Sequence, residues 1–249
     1  MSIKNDRWIT QQSTGPRFNY YYQEKLIHEY LPLEWFKFED VKEPLRALTN
    51  GQSYMADPDT RIIKMTNGDM VTPFVDHSVK EILRNGQFVK APSHGLSSYG
   101  YDIRLGRNFK VMNGYRTAKH AVIDPTELEN MEGFFTNLND VDAIEMAPHS
   151  FALGVAMERL VMPHNVSGIC MAKSTLARIG CVAMVTPVEA HWSGYLTIEL
   201  KNETDHPMRL HAGMGIMQVV FFMGEDCDTT YADRGGKYQD QPAMPVVAR

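Results

Sequence analysis

The stretch MAKSTLARIGCVAMVTPVEAHWSGYLTIELKN, Met171 to Asn202, carries the densest chemistry of the chain within a segment patterned as β-strands. In Tyr195-Leu196-Thr197-Ile198-Glu199-Leu200 the side chains alternate, so Glu199 shares a face with Thr197 and Tyr195 while Ile198 and Leu200 point to the other. A strand apolar on one face packs that face on a core, which leaves the carboxylate of Glu199 beside buried neighbours. Upstream, Lys173, Ser174 and Thr175 place an ammonium and two hydroxyls side by side, a set suited to phosphate oxygens through charge-assisted hydrogen bonds, and Arg178 follows within reach of the same pocket. Taken singly, each piece also reads as a polar turn or as a solvated residue on an outer strand face. Together they read as an active-site layout.

Brief alternating or apolar runs recur on both sides of this stretch: Asn108 to Met112, Phe151 to Met157, Gly168 to Met171, Cys181 to Val185, Tyr195 to Leu200 and Ile216 to Phe222. Gly, Pro and Asn cluster between them, which predicts a mainly β sandwich or distorted jelly roll. Ser78 with Glu81 forms a capping-box pattern before Ile82 and Leu83, and Gly86 can close a helix there, so a short helix is expected from Ser78 to Asn85, before the core. The acidic stretch Thr126 to Asp140 reads as a helix-and-loop excursion. Residues 1–70 differ in texture. Phe18, Tyr20, Tyr21, Tyr22, Tyr30, Trp35, Phe36 and Phe38 make them aromatic, and Pro32 and Pro44 break them into short pieces; core packing is the ordinary fate of such rings. The expected organisation is an N-terminal extension over 1–70, packed on a β-rich core with a C-terminal tail over 71–249.

With 249 residues and 43% hydrophobic content the chain can bury a substantial core. No apolar run approaches the length of a membrane span and the start MSIKNDRW lacks a signal-peptide core, so a cytoplasmic protein without membrane contact is expected. Cys170, Cys181 and Cys227 show no CxxC spacing, which points to reduced thiols packed as small apolar groups. A net charge of −5 argues against a nucleic-acid footprint. Lys173, Arg178, Arg234 and Lys237 can still gather one cationic pocket.

The central run resembles the signature of the deoxycytidine triphosphate (dCTP) deaminases, in the trimeric dUTPase-like superfamily. Further blocks occur in order: Ser97 to Ile103 and Arg104 is similar to the SSYGYD block, Pro148 to Leu153 to the PxSFAL strand, Val185 to Glu189 with Trp192 and Gly194 to the VTPLE…W.G turn, and Tyr231 to Gln239 to the YxDRGGKYQ tail. Met1 to Ile9 also resembles the start of the longer bacterial forms. The resemblance spans about residues 71 to 245 plus the first nine. It implies a distorted jelly-roll, dUTPase-like (β-clip) fold, a homotrimer with active sites between subunits, and a tail that orders over bound nucleotide. It also implies hydrolysis of dCTP to dUTP and ammonia, feeding dUMP and dTTP synthesis.

Residue by residue, the resemblance places the catalytic carboxylate at Glu199, with Arg178 and Ser174 orienting water alongside a backbone carbonyl near Thr186. It places nucleotide contacts at Lys173, Ser174, Thr175, Glu189, Gln218, Tyr231, Lys237 and Gln241. Gln218 also reads as a strand-pairing residue, Asp102 as a structural residue bonding backbone or Arg178, and His191 as unremarkable. Magnesium would come with the triphosphate, on phosphate oxygens and water, and no protein metal site is implied. Zinc deaminases carry H-x-E and P-C-x-x-C, and this sequence has neither, so an acidic residue would carry the protons unaided by zinc. Burial of Glu199 would raise its pKa toward the value a proton shuttle needs, and Arg178 would oppose that.

Ala172 stands where the family commonly has glycine and Leu176 where tyrosine is frequent; neither removes a chemical group. Two other readings share the motifs: a dUTPase, alone or in a bifunctional enzyme taking dCTP to dUMP, with Glu189 acting in the turn; and a silent nucleotide-binding regulator. The presence of both Glu189 in the turn and Glu199 on the strand, as the resemblance implies for the deaminases, favours a deaminase over a dUTPase, and Ser174, Arg178 and Glu199 together count against the silent regulator.

Overall fold

The computed structural model describes residues 2–13, 70–114 and 122–249 in full and, between 14 and 69, the backbone of four strands. The chain opens with β1 (Ser2–Ile3) and α1 (Asp6–Ser13). Asn5 caps this helix: its Oδ1 accepts from the Trp8 N–H at 3.1 Å, and Asp6 places a negative charge on the positive end of the helix dipole. Ile9 is fully buried, which ties the helix to the core.

The next four strands, β2 (Phe18–Tyr22), β3 (Lys25–Leu31), β4 (Leu45–Thr49) and β5 (Gln52–Ala56), form their own antiparallel sheet in the order β3-β2-β4-β5. The aromatic side chains expected to pack here lie outside the described residues. The residues that flank 14–69 come together, since the Met70 N–H donates to the Gln12 carbonyl at 2.9 Å.

Further strands and a second, four-residue helix complete the chain. They run β6 (Val71–Thr72), β7 (Ser78–Arg84), β8 (Gln87–Ser97), β9 (Gly100–Met112), β10 (Phe135–Leu138), β11 (Ala143–Met146) and β12 (Phe151–Val161). After these come β13 (Val166–Ala172), α2 (Ser174–Ala177), β14 (Cys181–Met184), β15 (Ser193–Asn202), β16 (Met208–His211) and β17 (Gly215–Met223). The central path of the eleven-stranded sheet is β1-β17-β9-β12-β15-β14, with β13, β10, β6 and the β7–β8 hairpin branching from it; β11 and β16 pair separately. The expected mainly β architecture is what forms, and all six strands read from the sequence are present. Register shifts between Gly215 and Met217, Gly154 and Ala156, and Val155 and Arg159 curl the sheet, because each bulge bends its strand and increases local twist. At Gly154 a Cβ would sit 2.9 Å from Leu105 Cδ1, so a side chain there would have to push the Leu105 side chain aside where β12 and β9 pack closely.

On β15 the expected alternation is complete. Leu196, Ile198 and Leu200 are buried while Tyr195, Thr197 and Glu199 are half-buried on the other face. Burial of Ile198 and Leu200, each fully inaccessible, contributes roughly 1.5–3 kcal/mol per side chain. Tyr101, Ile103, Leu105, Phe109 and Phe221 fill the same core.

The helix expected from Ser78 to Asn85 is instead strand β7. Asn85 and Gly86 both adopt positive φ, 50° and 77°, making a two-residue turn that folds β7 onto β8 with Leu83 opposite Phe88 and Ile82 opposite Val89. An Asn-Gly pair between apolar runs is a strong hairpin signal, and here it outweighs a four-residue capping pattern. Thr126 to Asp140 is turns, one short 3-10 helix over Met131–Phe134, and β10. No helix among the described residues is long and apolar enough to cross a membrane.

Candidate active site

Glu199 lies on β15 opposite Leu153 of β12 and Met184 of β14. Burial raises its carboxyl above the usual carboxylate range, partly offset by a hydrogen bond to its own backbone. Arg178 does not oppose the shift within a single chain: no guanidinium is among its causes. The nearby thiol of Cys170, on β13, is pushed up to about 12, first by burial and then by the charge of Glu199. The carboxyl therefore borders a thiol that stays protonated and uncharged. Sequence reasoning treated Cys170 only as a small core residue; its place beside Glu199 depends on how β13 and β15 come together and has no local signal.

The loop from β13 to β14 carries the other catalytic candidates. Lys173 has extended backbone, φ −70° and ψ 133°, and its carbonyl accepts from the N–H groups of Leu176 and Ala177 at 3.0 and 3.1 Å, starting α2. Leu176, which stands where the family often has tyrosine, is buried and pins the turn. Ser174, Thr175 and Arg178 face outward, and among the described residues their side chains have no hydrogen-bond partner. The chain thus presents a hydroxyl pair and a guanidinium that no other described side chain engages.

Lys173 and Gln218, both expected to meet nucleotide, turn toward Asp102 in this chain. The Lys173 Nζ donates to Asp102 Oδ2 at 2.5 Å and to Ser93 Oγ at 3.0 Å, and Gln218 Nε2 donates to Asp102 Oδ1 at 3.2 Å. Asp102 is 4% exposed, so an unpaired carboxylate there would be costly and its donors compensate it. Its structural role is as expected, but it bonds Lys173 and not Arg178.

The tail docks on its own chain, whereas the resemblance implies a tail that orders over nucleotide. The Trp192 Nε1–H donates to the Tyr238 carbonyl at 2.7 Å, the Asp240 N–H to the Ser193 carbonyl at 2.8 Å, and the Tyr195 N–H to the Gln241 carbonyl at 3.1 Å. Thr197 Oγ1 donates to Gln241 Oε1 at 3.3 Å, which brings Gln241 onto the Glu199 face of β15. Tyr231 accepts from the Tyr238 N–H through its hydroxyl at 2.9 Å and lies under the Arg234 guanidinium. Arg234 in turn pairs with Glu189, and Lys237 is exposed. His191, which sequence did not single out, packs against His164 with ring centroids 4.0 Å apart and the rings tilted by 38°, and its Nδ1 meets Thr230 Oγ1 at the root of the tail.

One buried pair was missed altogether. Glu158 of β12 is fully inaccessible and accepts from the Arg104 backbone N–H at 2.9 Å and Nε at 2.6 Å. Two adjacent charges, Glu158 and Arg159, inside the otherwise apolar run VAMERLV were the available signal.

The chain matches the family model described as dCTP deaminase-like over residues 74–224. It is 43% identical over 178 residues to the dCTP deaminase of Chlamydia muridarum, covering 71% of this chain and 90% of that one. It is 40% identical over 178 residues to the dCTP deaminase of Acinetobacter baumannii, covering 71% and 89%. Among solved structures it is similar to the 2'-deoxycytidine 5'-triphosphate deaminase of Agrobacterium tumefaciens, with TM-score 0.42, 18% identity, and 52% of this chain and 40% of that chain covered.

Proposed function

Because this chain belongs to the dCTP deaminase-like family, we propose that it hydrolyses the amino group from the cytosine base of dCTP, giving dUTP and ammonia. The observation that carries the mechanism is the half-buried Glu199, whose carboxyl is raised by burial on a strand face that the tail also reaches. As the oxygen of water adds to C4, Glu199 takes a proton from it and delivers that proton to N3. The tetrahedral centre then returns a proton through the same carboxyl to the amine; the C4–N bond breaks and ammonia leaves as the carbonyl forms. Ser174 and Arg178 hold the water and the developing charge. Thr175, Glu189, Tyr231, Lys237 and Gln241 take the nucleotide.

Magnesium fits this site as a companion of the triphosphate. Among the described residues no three His, Cys, Asp or Glu side chains converge, so phosphate oxygens and water would hold the ion, which would neutralise part of the phosphate charge.

A homotrimer is part of the proposal. Ser174 and Arg178 face outward beside the exposed apolar side chains Ile169, Met171, Ile179 and Met184, a surface suited to a second copy that brings its own groups to the site. Specific activity should then fall on dilution in step with loss of the trimer by sedimentation. A reaction that supplies dUTP for dUMP synthesis belongs in the cytoplasm.

Incubating the protein with dCTP, dCMP and dUTP plus magnesium, and assaying ammonia and pyrophosphate separately, tests the reading. Ammonia from dCTP alone is the expected result, and pyrophosphate without ammonia would replace the deaminase with a dUTPase. Truncation before Tyr231 should lower kcat/KM for dCTP by about a hundredfold, because the tail both covers the nucleotide and excludes water. Unchanged turnover would remove the tail from the mechanism.

A further inference from the structure

Asp102 collects three parts of the fold on one carboxylate. It sits on β9, receives Gln218 from β17 on one oxygen, and receives Ser93 from β8 at 3.2 Å together with Lys173 at 2.5 Å on the other. Lys173 is held at both ends. Its backbone N–H donates to the Ile216 carbonyl of β17 at 3.4 Å, and its ammonium reaches Asp102 and Ser93. The residue that starts the turn carrying Ser174 and ending at Arg178 is thus fixed to the sheet by its main chain and by its side chain. No side chain caps that turn, so nothing in α2 itself sets where it begins.

A lysine that grips phosphate needs its charge facing the ligand. Here the side chain is 14% exposed, and its charge is met by a carboxylate that is itself 6% exposed. A phosphate approaching from outside would have to compete with that carboxylate at contact distance in a site of low dielectric, where the pair is strong and costly to break.

We infer that Asp102 is a positioning residue of the deaminase: through Lys173 it sets the place from which Ser174 and Arg178 meet the substrate, and Lys173 is its strut and not a ligand of the phosphates. This rests on the deaminase reading above. A displacement of about 1 Å in such a turn costs on the order of a hundredfold in rate while leaving nucleotide contacts elsewhere in place.

The test uses Asp102→Asn, Lys173→Met, their double variant and Lys173→Arg in the full-length protein. Steady-state ammonia release from dCTP is read together with hydrogen exchange at the amides of Leu176, Ala177 and Arg178. Each of the first two changes should lower kcat by about 10- to 100-fold with KM for dCTP within about threefold, and should speed exchange at those three amides while β12 and β15 keep their protection. The double variant should be no slower than the worse single variant, since both break one unit, and Lys173→Arg should recover part of kcat. The inference is overturned if Lys173→Met raises KM tenfold or more with kcat intact while Asp102→Asn is silent, the pattern of a phosphate ligand. It is also overturned if protection falls across the whole sheet, the pattern of a pair that only holds the core. Absence of ammonia from the unaltered protein would instead remove the deaminase reading, and the exchange comparison would still decide whether Asp102 fixes the turn.

Discussion

Glu199→Gln yields a folded protein that binds dCTP with an affinity within about threefold of the unaltered chain and deaminates it about 10²- to 10⁴-fold more slowly, the usual share of a general acid–base group. Gln keeps the size and a carbonyl acceptor, so β15 and its pairing with Leu153 and Met184 survive. What disappears is the group that accepts and returns a proton. Calorimetric binding of dCTP alongside ammonia release measures both halves. A second consequence concerns stability. Because burial raises the Glu199 carboxyl above its unfolded value, the native state holds a proton more tightly than the unfolded chain does, and stability falls as pH rises through the interval between the two values. Gln has no such dependence. Its variant should match the unaltered protein in acid and have the higher Tm at neutral pH.

Arg104→Leu has the largest expected effect on the fold. Glu158 is inaccessible to solvent, and burial raises its carboxyl even though the Arg104 guanidinium and two hydrogen bonds pull it down. Removing the cation strands that carboxyl in the core at a cost of about 3–5 kcal/mol. For a chain of this size that lowers Tm by about 6–20 °C. The deficit should deepen with rising pH, because the stranded acid binds its proton more tightly folded than unfolded and ionises only at a cost. Arg104→Leu with Glu158→Leu should recover most of the loss, since an apolar pair of similar volume removes both desolvation penalties. Thermal melts of the three variants across pH decide this, and a double variant no better than Arg104→Leu would show that the pair contributes more than mutual neutralisation.

What the sequence made legible was whatever a strand's period of two encodes locally. The alternation around Glu199 foretold both its face and its raised carboxyl, because burial of Leu196, Ile198 and Leu200 settles which way the strand turns. Contacts between distant strands were another matter. Lys173 and Asp102 lie 71 residues apart, and Arg104 and Glu158 lie 54 apart, so only the strand order of the curled sheet brings them together. Lys173 beside two hydroxyls reads as a phosphate grip until β9 supplies the carboxylate beneath it. The misread helix at Ser78 has the opposite cause, a local rule overruled by a stronger local rule: the capping pattern asked for a helix, and Asn85-Gly86 folded the segment back on itself. Ser174 and Arg178 face outward, and among the described residues no side chain of the same chain bonds them, so their roles rest on the resemblance and not on a contact that the fold supplies.

The central claim is that a desolvated carboxyl on β15 moves the protons of cytosine deamination with no transition metal at the reacting carbon. Its most direct test is ammonia release from dCTP by protein stripped of transition metals with a zinc-selective chelator and supplied only with magnesium. Undiminished turnover, abolished by Glu199→Gln, is the predicted result; activity lost on stripping and restored by zinc would contradict it.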